Sequence, residues 1–148
     1  ATALRQRIAW MGQKPHVFAA SVQANVSIGR AGVTRERVEA AVRLAGLGAV
    51  TQAALGTALG EGGTGLSGGE AARLALARLA VHDQADLLLV DEPTAHLDRD
   101  TAHHVTEALL ALAQGRTLIV ATHDPLLAAR MDRVVMVGEA ARQPEQAA

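Results

Sequence analysis

The sequence predicts an α/β fold: a small parallel sheet with helices packed on it, plus a helical insertion between two strands. Three observations carry this. Short, continuous apolar runs recur at Ile8–Met11, Leu87–Val90 and Thr117–Ala121, as buried strands of a parallel sheet do. Polar turns and helical patterns alternate with these runs in the second half of the chain. Residues 31–80 break the alternation with helical patterns and no strand.

The elements follow in order. Ile8–Met11 is a strand stopped by Gly12, and a loop runs from Gln13 to Arg30, with a short helix starting at Ser21. Thr34 is an N-cap for a helix over Arg35–Ala45, whose Val38, Ala41, Val42 and Ala45 share one face. Gly46 and Gly48 end it, and a second helical piece covers Ala49–Ala54. The glycine-rich stretch 56–69 leads into a helix over Gly69–Val81, with Leu76, Leu79 and Ala80 inward. Leu87–Val90 is a strand closed by Asp91-Glu92-Pro93. A helix over Arg99–Ala113 turns Val105, Leu109 and Leu112 inward and stops at Gly115. Thr117–Ala121 is a buried strand, and Asp124-Pro125 caps another helix. Arg133–Val137 reads as a last strand, and 139–148 as a polar, frayed tail.

Composition narrows the function classes. The chain has 148 residues, 49% apolar and 20% charged, which suits one domain with a real core. Trp10 and Phe18 are the only aromatics, so that core is Leu, Val, Ile and Ala. Fourteen basic and fifteen acidic residues leave a net charge of −1, so charge offers no reason to expect nucleic acid or anionic lipid as a partner. The absence of cysteine excludes disulfides, thiolate metal sites and cysteine nucleophiles. No apolar run is long enough to span a bilayer, and no signal peptide opens the chain. Its first residue is Ala1, which points to a piece of something longer. Arginine far outnumbers the single Lys14, and with the alanine bias this suits a GC-rich bacterial genome.

Four features carry chemistry. Asp91 and Glu92 stand at the carboxyl end of a strand, where α/β sheets bind ligands. One carboxylate can hold Mg²⁺ and the next can polarise a water; the plain alternative is a strand end with an acidic cap. Leu66-Ser67-Gly68-Gly69-Glu70 opens a helix, where backbone N–H groups, the helix dipole and the Ser67 hydroxyl favour a phosphate. A flexible glycine linker with a serine cap is the alternative there. His123 follows the strand Thr117–Ala121 at its carboxyl end, within reach of a developing phosphate charge, although a lone histidine is more often structural. Gln13 follows the first strand and suits a residue that positions a metal-bound or attacking water.

Taken in this order, these features resemble the ATP-binding cassette (ABC) ATPases over about Ile8 to Val137. The residues that carry the resemblance are Met11-Gly12-Gln13, the signature Leu66-Ser-Gly-Gly-Glu70, the Walker B run Leu87–Glu92, the D-loop Ala95-His96-Leu97-Asp98 and the switch His123. The resemblance implies a partial P-loop NTPase (ABC ATPase) core with a parallel sheet plus an α-helical subdomain. Residues 1–30 would hold the Q-loop region, 31–81 the helical subdomain, and 82–138 the later part of the RecA-like core. The resemblance implies ATP and Mg²⁺ as cofactors. Asp91 and Gln13 match the metal-holding positions, and Glu92 the general base. His123 matches the γ-phosphate contact. Ser67, Gly68 and Gly69 match the loop that binds ATP held by the opposite subunit, and Asp98 the loop that crosses the dimer interface. Implied partners are a second nucleotide-binding domain, identical or paralogous, and transmembrane domains. The implied location is the cytoplasmic face of the inner or plasma membrane.

Thr57-Ala-Leu-Gly-Glu61 and Ala20-Ser-Val-Gln-Ala-Asn-Val26 look exporter-like. Glu92-Pro-Thr-Ala-His-Leu-Asp98 is similar to bacterial heterodimeric thiol exporters that support cytochrome bd assembly. The main departure is that no Gly-x-x-x-x-Gly-Lys-Ser/Thr loop occurs here, because Lys14 is followed by Pro15. The 148 residues alone are therefore expected to hydrolyse ATP poorly and to expose unpaired strand edges. Two other functions compete: a catalytically silent signature-loop module that completes a partner's ATP site, and an ABC ATPase without membrane domains. The exporter-like segment at 57–61 and the short insertion argue against the latter.

Overall fold

A computed structural model describes residues 2–47, 59–60 and 66–138. The described residues form nine elements: α1 (Thr2–Gln6), β1 (Ile8–Met11), α2 (Val22–Val26), α3 (Arg35–Leu44), α4 (Gly68–Ala80), β2 (Leu87–Asp91), α5 (Arg99–Leu112), β3 (Thr117–Ala121) and α6 (Pro125–Ala128). The three strands are parallel, in the order β1-β2-β3. The register aligns Trp10 with Leu89 and Leu89 with Ile119; Met11, Val90 and Val120 form the next row. Parallel pairing aligns the carboxyl ends of all three strands, which places Gln13, Asp91, Glu92 and His123 near one edge.

The helices start where side chains satisfy their first N–H groups. Ser21, Thr34, Ser67, Asp98 and Asp124 cap α2, α3, α4, α5 and α6, each accepting from a backbone N–H of the first turn. Such caps contribute about 1 kcal/mol each.

α4 lies at the centre of the core. Leu74, Leu76 and Leu79 are fully buried, and Ala72, Ala75 and Ala77 are buried beside them. The buried surface of α4 is thus wider than its predicted stripe, because the helix packs against α2, α3, α5 and β1 together. Val22 and Val26 of α2, Val38 and Val42 of α3, Leu88 of β2, and Val105 and Leu109 of α5 complete the cluster. Each buried side chain of this kind stabilises by about 1.5–3 kcal/mol relative to exposure.

Two expectations are corrected. Thr117–Ala121 does form a strand, but it is not buried: Leu118 and Val120 are half-buried and Ile119 is 55% exposed. Among the described residues nothing pairs with its outer edge. Arg133–Val137 is not a strand; its four apolar residues stand exposed, Val137 at 94%. An apolar run becomes a strand only where a neighbour offers ladder partners, and the described residues offer none there. α1 is an addition that the sequence pattern did not signal. The helical piece expected at Ala49–Ala54 and the tail at 139–148 lie outside the described residues. Of the exporter-like segment 57–61 only Leu59 and Gly60 are described, and the Leu59 N–H donates to the Ala20 carbonyl at 2.9 Å.

Candidate functional site

The site is built where β2 and β3 end side by side. Asp91 pairs with Ala121 as the last ladder position, and its side chain is exposed. The next residue, Glu92, adopts φ +47, a left-handed conformation that costs a non-glycine residue roughly 1–2 kcal/mol. Its N–H still donates to the Ala121 carbonyl at 2.8 Å, so the strained residue is held by the sheet itself. The turn aims the carboxylate across the strand ends at the residues after β3. His123 Nδ1 lies 2.8 Å from Glu92 Oε1, and the Thr122 hydroxyl donates more weakly to Oε2 at 3.4 Å.

The pair is asymmetric in exposure. The Glu92 side chain keeps 19% of its accessible surface and that of His123 keeps 80%, so the imidazole sits on the solvent side of the carboxylate. The hydrogen bond to Glu92, and then its negative charge, hold the His123 pKa above its usual 6.5. Behind the pair, the Thr94 hydroxyl donates to Asp124 Oδ2 at 2.9 Å, while Asp124 Oδ1 accepts from the Leu126 N–H at 2.9 Å. This ties the turn after β2 to the start of α6. Neither the twist at Glu92 nor the Thr94–Asp124 link was legible beforehand, because both arise from partners about thirty residues apart.

The signature residues form a second cluster at the start of α4. Ser67 and Glu70 make a reciprocal capping box: Ser67 Oγ accepts from the Glu70 N–H at 3.2 Å, and Glu70 Oε2 accepts from the Ser67 N–H at 2.7 Å. The Ser67 hydroxyl proton remains free to donate. Gly68 is exposed, and a Cβ there would meet nothing within 4 Å. Gly69 differs: a Cβ there would lie 3.2 Å from Thr101 Cγ2, so glycine lets α4 approach α5. Asp98 Oδ1 accepts from the Thr101 N–H at 2.9 Å, a bond that holds its carboxyl below the usual carboxylate range. Arg73 donates to the Thr101 hydroxyl at 3.1 Å. Ser67, Gly68, Gly69 and Asp98 are thereby assembled around the paired starts of α4 and α5.

A cavity of about 190 Å³ lies between these clusters, and Gln13, Gly68, Glu92 and Leu97 are among its lining residues. It brings Gln13, just after β1, and Glu92 to one space. Asp91, Ser67, Gly69, Asp98 and His123 are not part of its wall. His96, at φ +61, is part of that wall and holds the turn after Glu92 in a second left-handed step.

Comparison with known proteins gives this geometry a family. A family model described as ABC transporter matches residues 1–95. The chain belongs to the ABC transporter family. An AAA-domain model also matches residues 69–129. The ATP-dependent lipid A-core flippase of Burkholderia pseudomallei is 39% identical over 137 residues, 90% of this chain and 23% of that protein. The glutathione/L-cysteine transport system ATP-binding/permease protein CydC of Escherichia coli is 37% identical over 136 residues, 91% of this chain and 24% of that protein. The structure of a bacterial Atm1-family ABC exporter with ATP bound superposes with a TM-score of 0.79 at 34% identity, covering 88% of this chain and 23% of that one. The α/β fold with its three-stranded parallel sheet is thus that of an ABC exporter's ATP-binding part. The chain spans about a quarter of the length of these relatives.

This family of ATPases uses ATP with Mg²⁺. The donor set here fits in part. Mg²⁺ is commonly held by one or two carboxylates, with phosphates and waters completing its shell, and exposed Asp91, with Gln13 following β1 at the same end of the sheet, suits that share. Among the described residues no group of three or more His, Asp or Glu could hold a metal alone. The open Gly68 at the start of a thirteen-residue helix suits an anion.

Proposed function

We propose that these residues are the later part of the ATP-binding domain of an ABC exporter, and that Glu92 is the group that activates water for ATP hydrolysis. The observation that carries this reading is the Glu92–His123 pair. A carboxylate is bent out of its strand into a strained conformation and held by His123, two residues beyond the end of the next strand. Strain of this kind persists where the surrounding structure imposes it, and it clusters at sites of chemistry.

Each group has a stated task. Glu92 orients the attacking water and takes its proton; His123, donating from Nδ1, fixes the carboxylate and faces the γ-phosphate. Asp91 and Gln13 would hold Mg²⁺, which supplies charge neutralisation between the phosphates. Ser67, Gly68 and Gly69 offer donors to a phosphate bound on an opposing domain, and Asp98 lies at that interface. Phosphoryl transfer depends on positioning and electrostatic stabilisation, which such fixed groups provide.

The division into a Q-loop region (1–30), a helical subdomain (31–81) and a RecA-like part (82–138) belongs to this reading. So do a second nucleotide-binding domain and transmembrane domains as partners, and a position at the cytoplasmic face of a membrane. The similarity to CydC and to lipid A-core flippases supports an exporter without choosing its cargo. A second reading treats the 148 residues as a silent module that lends its signature loop to a partner's ATP. The open, exposed Gly68 favours it.

Phosphate release separates the two once a segment bearing Gly-x-x-x-x-Gly-Lys-Ser/Thr is supplied. Glu92→Gln is expected to cut turnover by about 10²-fold or more while nucleotide binding persists. Unchanged turnover in Glu92→Gln would remove Glu92 from the chemistry and favour the module.

A further inference from the structure

We propose that Arg78 is a positioning residue: it locks the loop that carries Gln13 onto the signature helix, so that the two move as one body. This rests on the placement of Gln13 and the signature residues in the ATP site. Arg78 lies in the last turn of α4, and its guanidinium is spent on a different segment of the chain. Nε donates to the Asn25 carbonyl at 2.8 Å, Nη2 to Asn25 Oδ1 at 2.7 Å and Nη1 to the His16 carbonyl at 2.6 Å. The same group lies 5.7 Å from the centroid of the Phe18 ring, which packs edge-on against His16.

Asn25 makes this grip reach the whole loop. It is completely buried. Its Nδ2 donates to the carbonyls of Phe18, Ala20 and Ser21 at 3.0, 3.1 and 3.1 Å, and its Oδ1 also accepts from the Phe18 N–H at 2.9 Å. One asparagine therefore closes residues 18–25 into a ring, and one arginine fastens that ring to α4. Gln13 lies only three residues before His16, with the φ of Pro15 fixed between them. At the other end of α4, about 15 Å away by helix rise, Gly68 shares a cavity with Gln13. A displacement of the loop is thus carried along a rigid helix to the signature residues. Lysine's three donors radiate from one nitrogen and do not match acceptors that here meet three separate nitrogens of a planar guanidinium. Among the described residues no acidic side chain pairs with the guanidinium, whose three hydrogen bonds all go to this loop.

Hydrogen exchange on the 148-residue chain tests the lock. In the wild type, the Phe18 N–H is expected to open together with the Leu76 and Leu79 amides of α4 as denaturant is added. Opening of Phe18 well before them overturns the proposal, and this holds even if every variant fails to fold. Arg78→Lys is expected to speed exchange at Phe18 about tenfold, the effect of losing one charge-assisted hydrogen bond, while Val105 and Leu109 of α5 stay unchanged. An equal rise at all three amides means general destabilisation and also overturns it. In the full-length protein, Arg78→Lys is expected to lower kcat for ATP about fivefold or more with KM within about twofold, because Gln13 loses its fixed position. Wild-type kcat in that variant contradicts the proposal. Retained turnover in Glu92→Gln, with exchange as expected, would overturn the role of Glu92 and leave the lock standing.

Discussion

The two faces of the sheet use the same three strands and end differently. Toward the helices, Ala9, Met11, Leu88 and Val90 are buried under α4 and its neighbours. On the opposite face, Trp10, Leu89 and Ile119 form one aligned row, in which Trp10 is 69% exposed, Leu89 half-buried and Ile119 55% exposed. Strand sequence is similarly apolar on both sides, so hydrophobicity alone did not decide the outcome. What differs is the cover: the core helices bury one face, whereas the other leaves Trp10 and Ile119 open. The closed face supplies the rigidity that holds Glu92 in its strained turn. The open face shows that these residues are only part of what a buried parallel sheet needs.

Substitutions on the two faces should separate by stability. Leu88→Ala removes a fully buried side chain at the sheet centre and is expected to cost about 2–5 kcal/mol in urea unfolding. Ile119→Ala, in the neighbouring strand, should cost less than about 1 kcal/mol, since most of that surface is already wet. Equal costs would mean that the open face is covered in solution. Between these lies Ser67→Ala, which breaks the capping box of α4 and is expected to cost about 1 kcal/mol. Trp10 gives the finest test, because it is the single tryptophan. Its emission should be that of a solvated indole and readily quenched by iodide, and a blue-shifted, protected emission would place a partner or another segment on that face.

The strand ends make a prediction about pH. His123 has its pKa raised in the folded chain by the bond to Glu92, so that bond's contribution to stability is complete below the unfolded value near 6.5. It is lost as pH rises through the higher, folded pKa. The melting difference between wild type and His123→Ala should therefore be largest in mildly acidic buffer and shrink as the pH becomes alkaline. The imidazole should titrate above 6.5 by NMR, and Glu92→Gln should bring it back toward that value.

Much of the scaffold was legible because its signals are local. Ser67 and Glu70 stand three residues apart, the spacing of a capping box, and Asp124-Pro125 marks a helix start by itself. The apolar runs at Ile8, Leu87 and Thr117 marked strands for the same reason. Exposure was not local. Ile119 and Val135 carry the same apolar character as Leu88, and only a covering layer or a pairing edge distinguishes them. The site shows the same division. Asp91, Glu92 and His123 could be picked out from their positions at strand ends, whereas the left-handed turn at Glu92 depends on its bond to Ala121. Arg78 gave no signal at all, since a charged residue in the last turn of a helix ordinarily reads as a solvated end.

The central claim is that Glu92 and His123 act as one unit, and a double-mutant cycle on phosphate release tests it most directly. Glu92→Gln, His123→Ala and the double variant would be compared in an assembly that supplies the Gly-x-x-x-x-Gly-Lys-Ser/Thr loop. The double variant is expected to lose far less than the product of the two single losses, because the Glu92–His123 bond is shared and only the γ-phosphate contact of His123 remains once the carboxylate is gone. Losses that multiply would contradict the account, since each residue would then act without the other.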